Sequence, residues 1–288
     1  MKPRYRFRVG IPKNDRLFSE ISSLLYQASL WDEPRRRQLF SDLHDQELSL
    51  IFGRAGEIAL SLADSKLSCG FTGRDLILEQ ANPDIVEILP LGIGKCHLVF
   101  AVPSDQLNHP ISFWEGKTIA TSFVHLTRAY FEKTGTRVHV KEVSGGVEGK
   151  VATEEADAIV DLTETGTTLE ANGLLIKDRL LETEIVFAAR REFLNDPRVS
   201  MIRNRLEGVM TARKSIMIEY MIPKEKLDDA IRVAGGQKSP TVAPIYGDDR
   251  YFAVRIVEPK SRENEVMDKL KSIGAVGIFS VLLNNTRV

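Results

Sequence analysis

An acidic residue followed by a threonine- and glycine-rich segment is the part of the sequence that most suggests chemistry. Asp161 lies near the end of the apolar run 158–162, and a Thr-Gly-Thr-Thr segment follows at residues 165–168. The apolar run predicts a buried strand, and open α/β sheets bind ligands in crevices beyond the carboxyl ends of their strands. Gly166 would let the backbone approach a phosphate, while threonine hydroxyls and amides at a helix start could donate to it. Because Asp161 can accept hydrogen bonds from two ribose hydroxyls, the segment is suited to a ribose 5-phosphate.

A second interpretation of this segment is a threonine-rich turn that only caps a helix, which the four residues alone would favour. The preceding strand and acid favour the ligand site, so both interpretations stay open at this point. The sequence has neither the Gly-Lys-Ser/Thr of a Walker loop nor the GxGxxG of a dinucleotide site.

Short apolar runs alternate with helical periodicity through the first two thirds of the chain, a pattern that predicts an α/β architecture with mostly parallel sheets. The elements predicted first are strands at 6–11, 48–52 and 85–89, helices at 16–27 and 56–63, and a turn at 70–73. Residues 91–94, Leu-Gly-Ile-Gly, are predicted to form a hinge, since glycine tolerates large backbone changes. The pattern then starts again, with strands near 97–102, 118–120, 138–143 and 158–162, which predicts a second lobe.

The last third has a different organisation. Strands are predicted near 215–222, 241–246, 251–257 and 276–283, with one helix opening at Pro223 and ending at the glycine pair 235–236, and another at 263–273. The order βαββαβ predicts a ferredoxin-like, ACT-like domain, a fold often used for regulation.

Composition excludes several classes of protein. The 288 residues are 43% hydrophobic and 27% charged, and 39 Lys plus Arg against 40 Asp plus Glu give a formal charge of -1. Such a balance argues against nucleic-acid binding by counterion release and against a disordered chain. No apolar run approaches the ~20 residues that cross a bilayer, so no membrane protein is expected. Cys69 and Cys96 form no CxxC pair, which argues against a disulfide framework and indicates a cytoplasmic protein.

The basic start, residues 2–9, is open to two interpretations. Tyr5, Phe7 and Val9 alternate with arginines, which favours a strand over a targeting peptide.

Several ordered segments resemble the long form of the ATP phosphoribosyltransferase family. They are residues 91–98, residues 119–131 with Ile-Ala-Thr-Ser-Phe, residues 157–173 with the threonine loop, and residues 239–244, Ser-Pro-Thr-Val-Ala-Pro. The resemblance spans essentially the whole chain. It implies a catalytic part of two lobes like those of type II periplasmic binding proteins, with lobe I at 1–94 and 180–210, lobe II at 95–179, and a regulatory domain at 211–288. The discontinuity of lobe I follows mainly from this resemblance, together with the apolar stretch 184–189.

The resemblance also implies roles for individual residues. Glu148, in Gly-Gly-Val-Glu, and Asp161 would be the catalytic residues that hold the ribose of phosphoribosyl pyrophosphate. The other implied substrate-binding residues of phosphoribosyl pyrophosphate are Glu164, Thr165, Gly166, Thr167, Thr168, Lys13 and Arg16, of which the last two would face pyrophosphate or ATP phosphates. The implied nucleotide-binding residues are Arg54, Glu57, Gly73 and Asp75, and the implied allosteric histidine site comprises Glu219, Ser239 and Thr241. Three positions depart from the family pattern: Asp15 and Gly146 replace glycine and serine, and Met221 lies where an acid is expected.

The implied reaction is attack of adenine N1 of ATP on phosphoribosyl pyrophosphate with loss of pyrophosphate, the first step of histidine biosynthesis. Mg²⁺ would be bound mainly by substrate oxygens, with no dedicated protein metal site, and histidine would inhibit a homo-oligomer, from dimer to hexamer. Without the resemblance, the same charged residues would be interpreted as solvated surface groups. The alternatives are a solute-binding protein, which would usually need a secretion signal, a catalytically silent regulatory protein, and another phosphoribosyltransferase.

Overall fold

The computed structural model describes residues 3–13, 18–31, 39–233 and 240–287. Asp15, Arg16, Ser239 and the glycine pair 235–236 lie outside these ranges. The chain divides into two compact units, one comprising residues 1–21 and 34–200 and the other residues 22–33 and 201–288. Every helix within the described ranges is too short or too polar to span a bilayer.

The first unit is built on a nine-stranded sheet with the order β2-β3-β1-β4-β9-β5-β8-β6-β7. The strands are β1 (Arg8–Pro12), β2 (Phe40–Leu43), β3 (Leu48–Gly53), β4 (Cys69–Gly73), β5 (Ile85–Pro103), β6 (Thr118–Thr121), β7 (His139–Glu142), β8 (Ala158–Thr163) and β9 (Leu174–Arg190). The helices up to residue 213 are α1 (Phe18–Gln27), α2 (Ala55–Ala63), α3 (Arg74–Glu79), α4 (Val124–Thr134), α5 (Gly149–Ala152), α6 (Thr167–Ala171) and α7 (Pro197–Arg213). The boundary between the units at residues 200 and 201 falls within α7.

Two groups of parallel strands lie on either side of a long antiparallel pair. β1 pairs with β3 and β4 in parallel, β6 pairs with β7 and β8 in parallel, and β5 and β9 run antiparallel between the groups. We call β1–β4 with α2 and α3 the first lobe, and β6–β8 with α4–α6 the second lobe. This is the expected two-lobed α/β fold.

The predicted hinge at 91–94 is part of a strand. β5 runs without a break from residue 85 to residue 103, and Gly92 and Gly94 adopt φ values of 70° and 65° within it. The register with β9 shifts between Pro90 and Ile93 and again between Ile93 and Cys96. Positive φ is accessible to glycine at little cost, so the strand bends here while remaining in the sheet.

The prediction of a turn at residues 70–73 is wrong, because these residues belong to β4. All five residues of β4 are buried, and the strand pairs with β1 on one side and β9 on the other. Ladder hydrogen bonds from two neighbours hold this glycine-containing segment in an extended conformation that its local sequence does not favour.

Each lobe has its own apolar core. In the first lobe, Ile58 and Leu62 of α2 pack with Ile77, Ile85, Val186 and Ala188. The sheet of the second lobe is buried on both faces, since alternate residues of β5 enter different clusters: Leu98 and Phe100 pack with Trp114, whereas Val99 packs with Ile159 and Leu169.

The second unit contains the predicted ferredoxin-like domain. Its elements are β10 (Ser215–Pro223), α8 (Leu227–Val233), β11 (Thr241–Ile245), β12 (Asp248–Pro259), α9 (Glu263–Ser272) and β13 (Val276–Leu282). The antiparallel sheet has the order β11-β12-β10-β13, which is the ferredoxin-like arrangement. Ala230 of α8 and Val266 and Leu270 of α9 pack on Ile218 and Tyr220 of β10, so both helices cover one face of the sheet.

Candidate active site

A cavity of about 350 Å³ lies at the carboxyl end of β8 in the second lobe. It brings together most of the residues predicted to hold a ribose phosphate; the lining residues are Cys96, Glu148, Asp161, Leu162, Thr163, Glu164, Thr165, Thr168 and Leu169. A larger concavity of about 730 Å³, between α4 and β7, is lined by Arg128, Arg137 and His139 among others and contains none of the predicted site residues. The volume of a cavity therefore does not identify the site, whereas the chemistry of its lining residues does.

Asp161 is the acid at the end of the buried strand. The Leu162 amide donates a hydrogen bond of 2.8 Å to its Oδ1, and none of the described residues donates to its second oxygen. The pKa of Asp161 is raised to about 6, mainly by burial; the hydrogen bond from the Leu162 amide opposes the rise, and the nearby charge of Glu148 adds to it. The carboxylate is thus largely ionised at neutral pH and has one oxygen available for a ligand hydroxyl.

Glu148 reaches the same cavity from a different turn. Gly145 and Gly146 precede it with φ values of 84° and 60°, and Val147 between them and Glu148 is buried. A left-handed conformation costs an L-residue about 1–2 kcal/mol, so the backbone accounts for glycine at position 146, where the family has serine. The turn and the buried valine together fix the chain at the point where Glu148 lines the cavity.

The threonine loop is a tight turn between β8 and α6. Gly166 has a φ of 87°, and its amide donates to Thr163 Oγ1 at 2.9 Å. A Cβ at Gly166 would meet only Ile176 Cδ1 at 3.5 Å, an ordinary contact, so conformation and not space requires glycine. The hydroxyls of Thr165 and Thr167 lie 2.9 Å apart on the exposed side of the turn. These hydroxyls cluster at the loop surface, where an anionic ligand can reach them.

The remaining predicted residues of the first unit lie in the first lobe, outside this cavity. Lys13, Arg54 and Gly73 come at or just after the carboxyl ends of the parallel strands β1, β3 and β4, and so share one edge of the sheet. The Lys13 ammonium lies 5.2 Å from the centroid of the Phe52 ring, and the Lys13 amide donates to Gly53 O at 2.8 Å. The structure therefore separates the predicted residues into a first-lobe edge and a second-lobe cavity.

Two of the predicted nucleotide-binding acids make contacts within the protein. Glu57 Oε2 accepts a hydrogen bond of 3.0 Å from the Arg54 amide and so caps α2. Asp75 is buried, and Thr183 Oγ1 donates to its Oδ1 at 2.6 Å while accepting from the Asp75 amide at 3.0 Å. Burial raises the pKa of Asp75. In the described structure, Asp75 thus anchors α3 to β9.

Two arginines and a cysteine were missed by sequence reasoning. Arg74 makes two hydrogen bonds to Glu87, at 2.7 and 2.8 Å, and Cys96 lines the cavity of Asp161. In the sequence, Arg74 is marked only by lying between Gly73 and Asp75, and Cys96 only by lying within the family-like segment 91–98. Arg255, the third residue, belongs to the second unit and depends on cross-strand pairing that the sequence does not specify.

The predicted regulatory residues lie on the open face of the sheet in the second unit. Glu219 on β10 pairs in register with Arg255 on β12, which pairs in register with Thr241 on β11. Residues paired directly across an antiparallel sheet share a face, so the three form one row. Arg255 Nη2 lies 3.2 Å from Glu219 Oε2. Ser239 lies outside the described residues.

Among the described residues, no group of three or more His, Cys, Asp or Glu side chains is arranged to hold a metal ion. The carboxylates that line the cavity, Glu148, Asp161 and Glu164, are hard oxygen donors of the kind Mg²⁺ prefers. They suit a cation whose other ligands come from a substrate.

Comparison with known proteins matches both units. A sequence model of the HisG family, described as ATP phosphoribosyltransferase, matches residues 54–208, and a model of the HisG C-terminal domain matches residues 212–285. The chain is 36% identical over 281 residues to an ATP phosphoribosyltransferase of Rhodopirellula baltica, covering 98% of this chain and 93% of that protein. It is 33% identical to an ATP phosphoribosyltransferase of Halorubrum lacusprofundi, covering 94% of this chain and 97% of that protein.

A solved structure agrees with the fold. The ATP phosphoribosyl transferase (HisG:HisZ) complex from Thermotoga maritima superposes with a TM-score of 0.60 at 23% identity, covering 70% of this chain and 98% of that chain.

Proposed function

The chain belongs to the ATP phosphoribosyltransferase family, and from this premise we propose how its residues carry out the family's reaction. The enzyme is a glycosyltransferase that condenses ATP with phosphoribosyl pyrophosphate to give N1-(5-phosphoribosyl)-ATP and pyrophosphate, the first step of histidine biosynthesis. We place the reaction in the second lobe because Glu148, Asp161 and the threonine loop line one cavity there.

The reaction exchanges one bond at the anomeric carbon for another. The lone pair of adenine N1 forms a bond to C1 of the ribose, and the bond from C1 to the pyrophosphate oxygen breaks with its electron pair on the leaving group. Positive charge develops on the ribose ring and negative charge on pyrophosphate, so positioning and electrostatics matter more than a nucleophilic side chain.

We assign the ribose to the two carboxylates. Asp161 has an oxygen to which none of the described residues donates, and Glu148 lines the same cavity, so each can accept a hydrogen bond from a ribose hydroxyl. Both negative charges also lie where positive charge develops on the ring, which stabilises the transition state relative to the ground state. The 5-phosphate is assigned to the hydroxyls and amides of residues 165–168.

The nucleotide is assigned to the edge of the first lobe. Lys13 and Arg54 follow the carboxyl ends of neighbouring parallel strands, where open α/β sheets bind ligands, and supply positive charge for phosphates. Gly73 ends the next parallel strand at the same edge, and Glu57 and Asp75 order the helices that begin there. Arg16 completes the predicted set and lies outside the described residues.

We propose Mg²⁺ as the metal of the reaction. When bound together with the substrate, Mg²⁺ would neutralise part of the negative charge that develops on the leaving group. Glu148, Asp161 and Glu164 are the carboxylates of this chain that fit such a substrate-bound cation.

We propose that the second unit makes the enzyme a histidine-inhibited homo-oligomer, between dimer and hexamer. The open face of its sheet exposes Met221, Val257, Phe279 and Val281, each at least 38% accessible. Contiguous exposed apolar surface of this kind indicates a protein interface, and the row of Glu219 with Arg255 in its middle offers opposite charges for an amino-acid ligand. Histidine inhibits only if it binds one state of the assembly more tightly than another.

The boundaries of lobe I at 1–94 and 180–210, lobe II at 95–179 and the regulatory domain at 211–288 are likewise proposed, as is a cytoplasmic location. The core contacts of Val186 and Ala188 with Ile58 support the return of the chain to the first lobe.

In the presence of Mg²⁺, the purified protein should convert ATP and phosphoribosyl pyrophosphate to the N1-substituted product and pyrophosphate. The reaction can be followed by the difference in ultraviolet absorbance between this product and ATP. Glu148→Gln should lower turnover, whereas the matched change Glu170→Gln, an exposed acid on α6 without a side-chain contact among the described residues, should not. Folded protein that binds both substrates without turnover would contradict the proposed site and favour a binding protein.

A further inference from the structure

Helix α3, residues 74–79, contacts both lobes, and its last residue is not part of the site described above. We propose that Glu79 is a positioning residue that fastens the second lobe to the first, so that the two substrate-binding edges face each other before substrates arrive. This inference rests on the proposed division of the substrates between the lobes and adds a residue that neither substrate touches.

Three side chains of α3 fix the helix to the first lobe and to the long strand pair. Ile77 lies in the apolar core of the first lobe. The buried Asp75 is joined to Thr183 of β9 by two hydrogen bonds, and Arg74 is joined to Glu87 of β5 by two more. Each contact restrains a different face or end of the helix, so α3 cannot rotate independently of the sheet.

Two other side chains of α3, those of Leu76 and Glu79, reach the second lobe. The two oxygens of Glu79 accept hydrogen bonds from the His125 amide at 2.7 Å and the Leu126 amide at 3.1 Å, in the first turn of α4. Leu76, one turn earlier, packs against the core cluster of the second lobe that contains Phe123. One short helix thus makes both a polar contact, through Glu79, and an apolar contact, through Leu76, with the second lobe.

The α4 helix depends on this contact because it has no cap of its own. Its N-cap residue, Phe123, makes no side-chain hydrogen bond, and its first turn contains no acidic residue. A carboxylate that accepts two amide hydrogen bonds at a helix N-terminus is charge-assisted and also interacts favourably with the helix dipole. The acid that this helix needs is therefore supplied by the first lobe.

The position of α4 connects Glu79 to the site. α4 follows the carboxyl end of β6, which pairs in parallel with β8, Thr121 lying opposite Val160. Parallel neighbours end at the same edge of a sheet, so Glu79 binds at the edge of the second lobe where Asp161 also lies. Gly73, at the edge of the first lobe, immediately precedes α3. The helix thus spans from one proposed substrate edge to the other.

A kinetic signature distinguishes this role from general stabilisation. If Glu79 holds the lobes in the arrangement that binds substrates, its loss lowers the fraction of competent enzyme and raises apparent KM values by the inverse of that fraction, on the order of tenfold. Bound substrates restore the arrangement, so kcat at saturation should change less than about twofold.

The test compares Glu79→Ala and the nearly isosteric Glu79→Gln with Glu132→Ala in the full-length protein. Glu132 is an exposed acid on α4 whose side chain makes no contact among the described residues. We expect faster hydrogen exchange of the His125 and Leu126 amides and higher KM values in Glu79→Ala, an intermediate effect in Glu79→Gln, which keeps one acceptor oxygen, and wild-type behaviour in Glu132→Ala.

Wild-type KM values in both Glu79 variants would overturn the proposal, even if amide exchange were faster, since Glu79 would then be only a helix cap. Unchanged exchange would overturn it as well. Absence of turnover in the wild-type enzyme would contradict the proposed function but not the role of Glu79. Substrate affinities measured by calorimetry, read together with the exchange rates, would still decide the role of Glu79.

Discussion

Replacing Asp161 by asparagine should weaken catalysis and stabilise the unliganded protein, two effects of opposite sign. The side chains are nearly the same size, and the asparagine Oδ1 can keep the hydrogen bond from the Leu162 amide, which measures 2.8 Å in the native protein. What is lost is the negative charge. A charge-assisted hydrogen bond to a ribose hydroxyl contributes about 1.5–3 kcal/mol, so kcat/KM should fall about 10- to 150-fold.

The stability effect follows from the raised pKa of Asp161. Burial moves this pKa from 3.8 to about 6, so the protonated group stabilises the fold fully below pH 3.8, and the contribution is lost as the pH rises through about 6. The full rise corresponds to about 3 kcal/mol, and solvent screening in an open cavity reduces this to about 1–2 kcal/mol. The asparagine variant should therefore be more stable than the wild type at pH 8, and the difference should shrink toward pH 4.

The assay combines steady-state kinetics with urea unfolding at pH 4, 6 and 8. Glu170→Gln, which removes a charge from the same segment without touching the cavity, is the control and should change neither property. An asparagine variant with wild-type kcat/KM would show that Asp161 does not hold the ribose. A variant less stable than the wild type at pH 8 would show that the ionised carboxylate is not destabilised by its surroundings.

Three further predictions concern the loop and the second unit. Gly166→Ala should weaken phosphoribosyl pyrophosphate binding and lower the free energy of unfolding by about 1–2 kcal/mol, because φ is 87° there. In the control Gly149→Ala, where an added Cβ meets nothing within 4 Å, calorimetry should find a binding affinity and an unfolding free energy close to those of the wild type. Glu219→Gln should reduce inhibition by histidine without changing uninhibited turnover, because it removes the carboxylate that faces Arg255; inhibition equal to wild type in a dose-response assay would place the effector elsewhere. Phe279→Glu should lower the molar mass measured by light scattering, because it puts a charge on the exposed apolar face; an unchanged mass would mean that another surface forms the oligomer.

The sequence by itself determined the elements whose signals are local. The apolar run 158–162, the acid within it and the threonine loop after it predicted β8, Asp161 and the turn into α6, since each depends only on neighbouring residues. The same holds for the βαββαβ order of the last third, where apolar periodicity and turn residues agree at every step. The segments that resemble the family pointed to Glu148, which no local pattern would have selected.

Only the tertiary structure decided the features that depend on distant partners. Residues 70–73 have the composition of a turn, but hydrogen bonds from β1 and β9 on either side make them a strand. Thr183, 108 positions after Asp75, donates a hydrogen bond to the Asp75 carboxylate and so anchors α3, and Glu79 caps a helix that begins more than 40 residues later. Local propensity acts over a few residues, whereas these hydrogen bonds form only after burial of apolar surface has brought remote segments together.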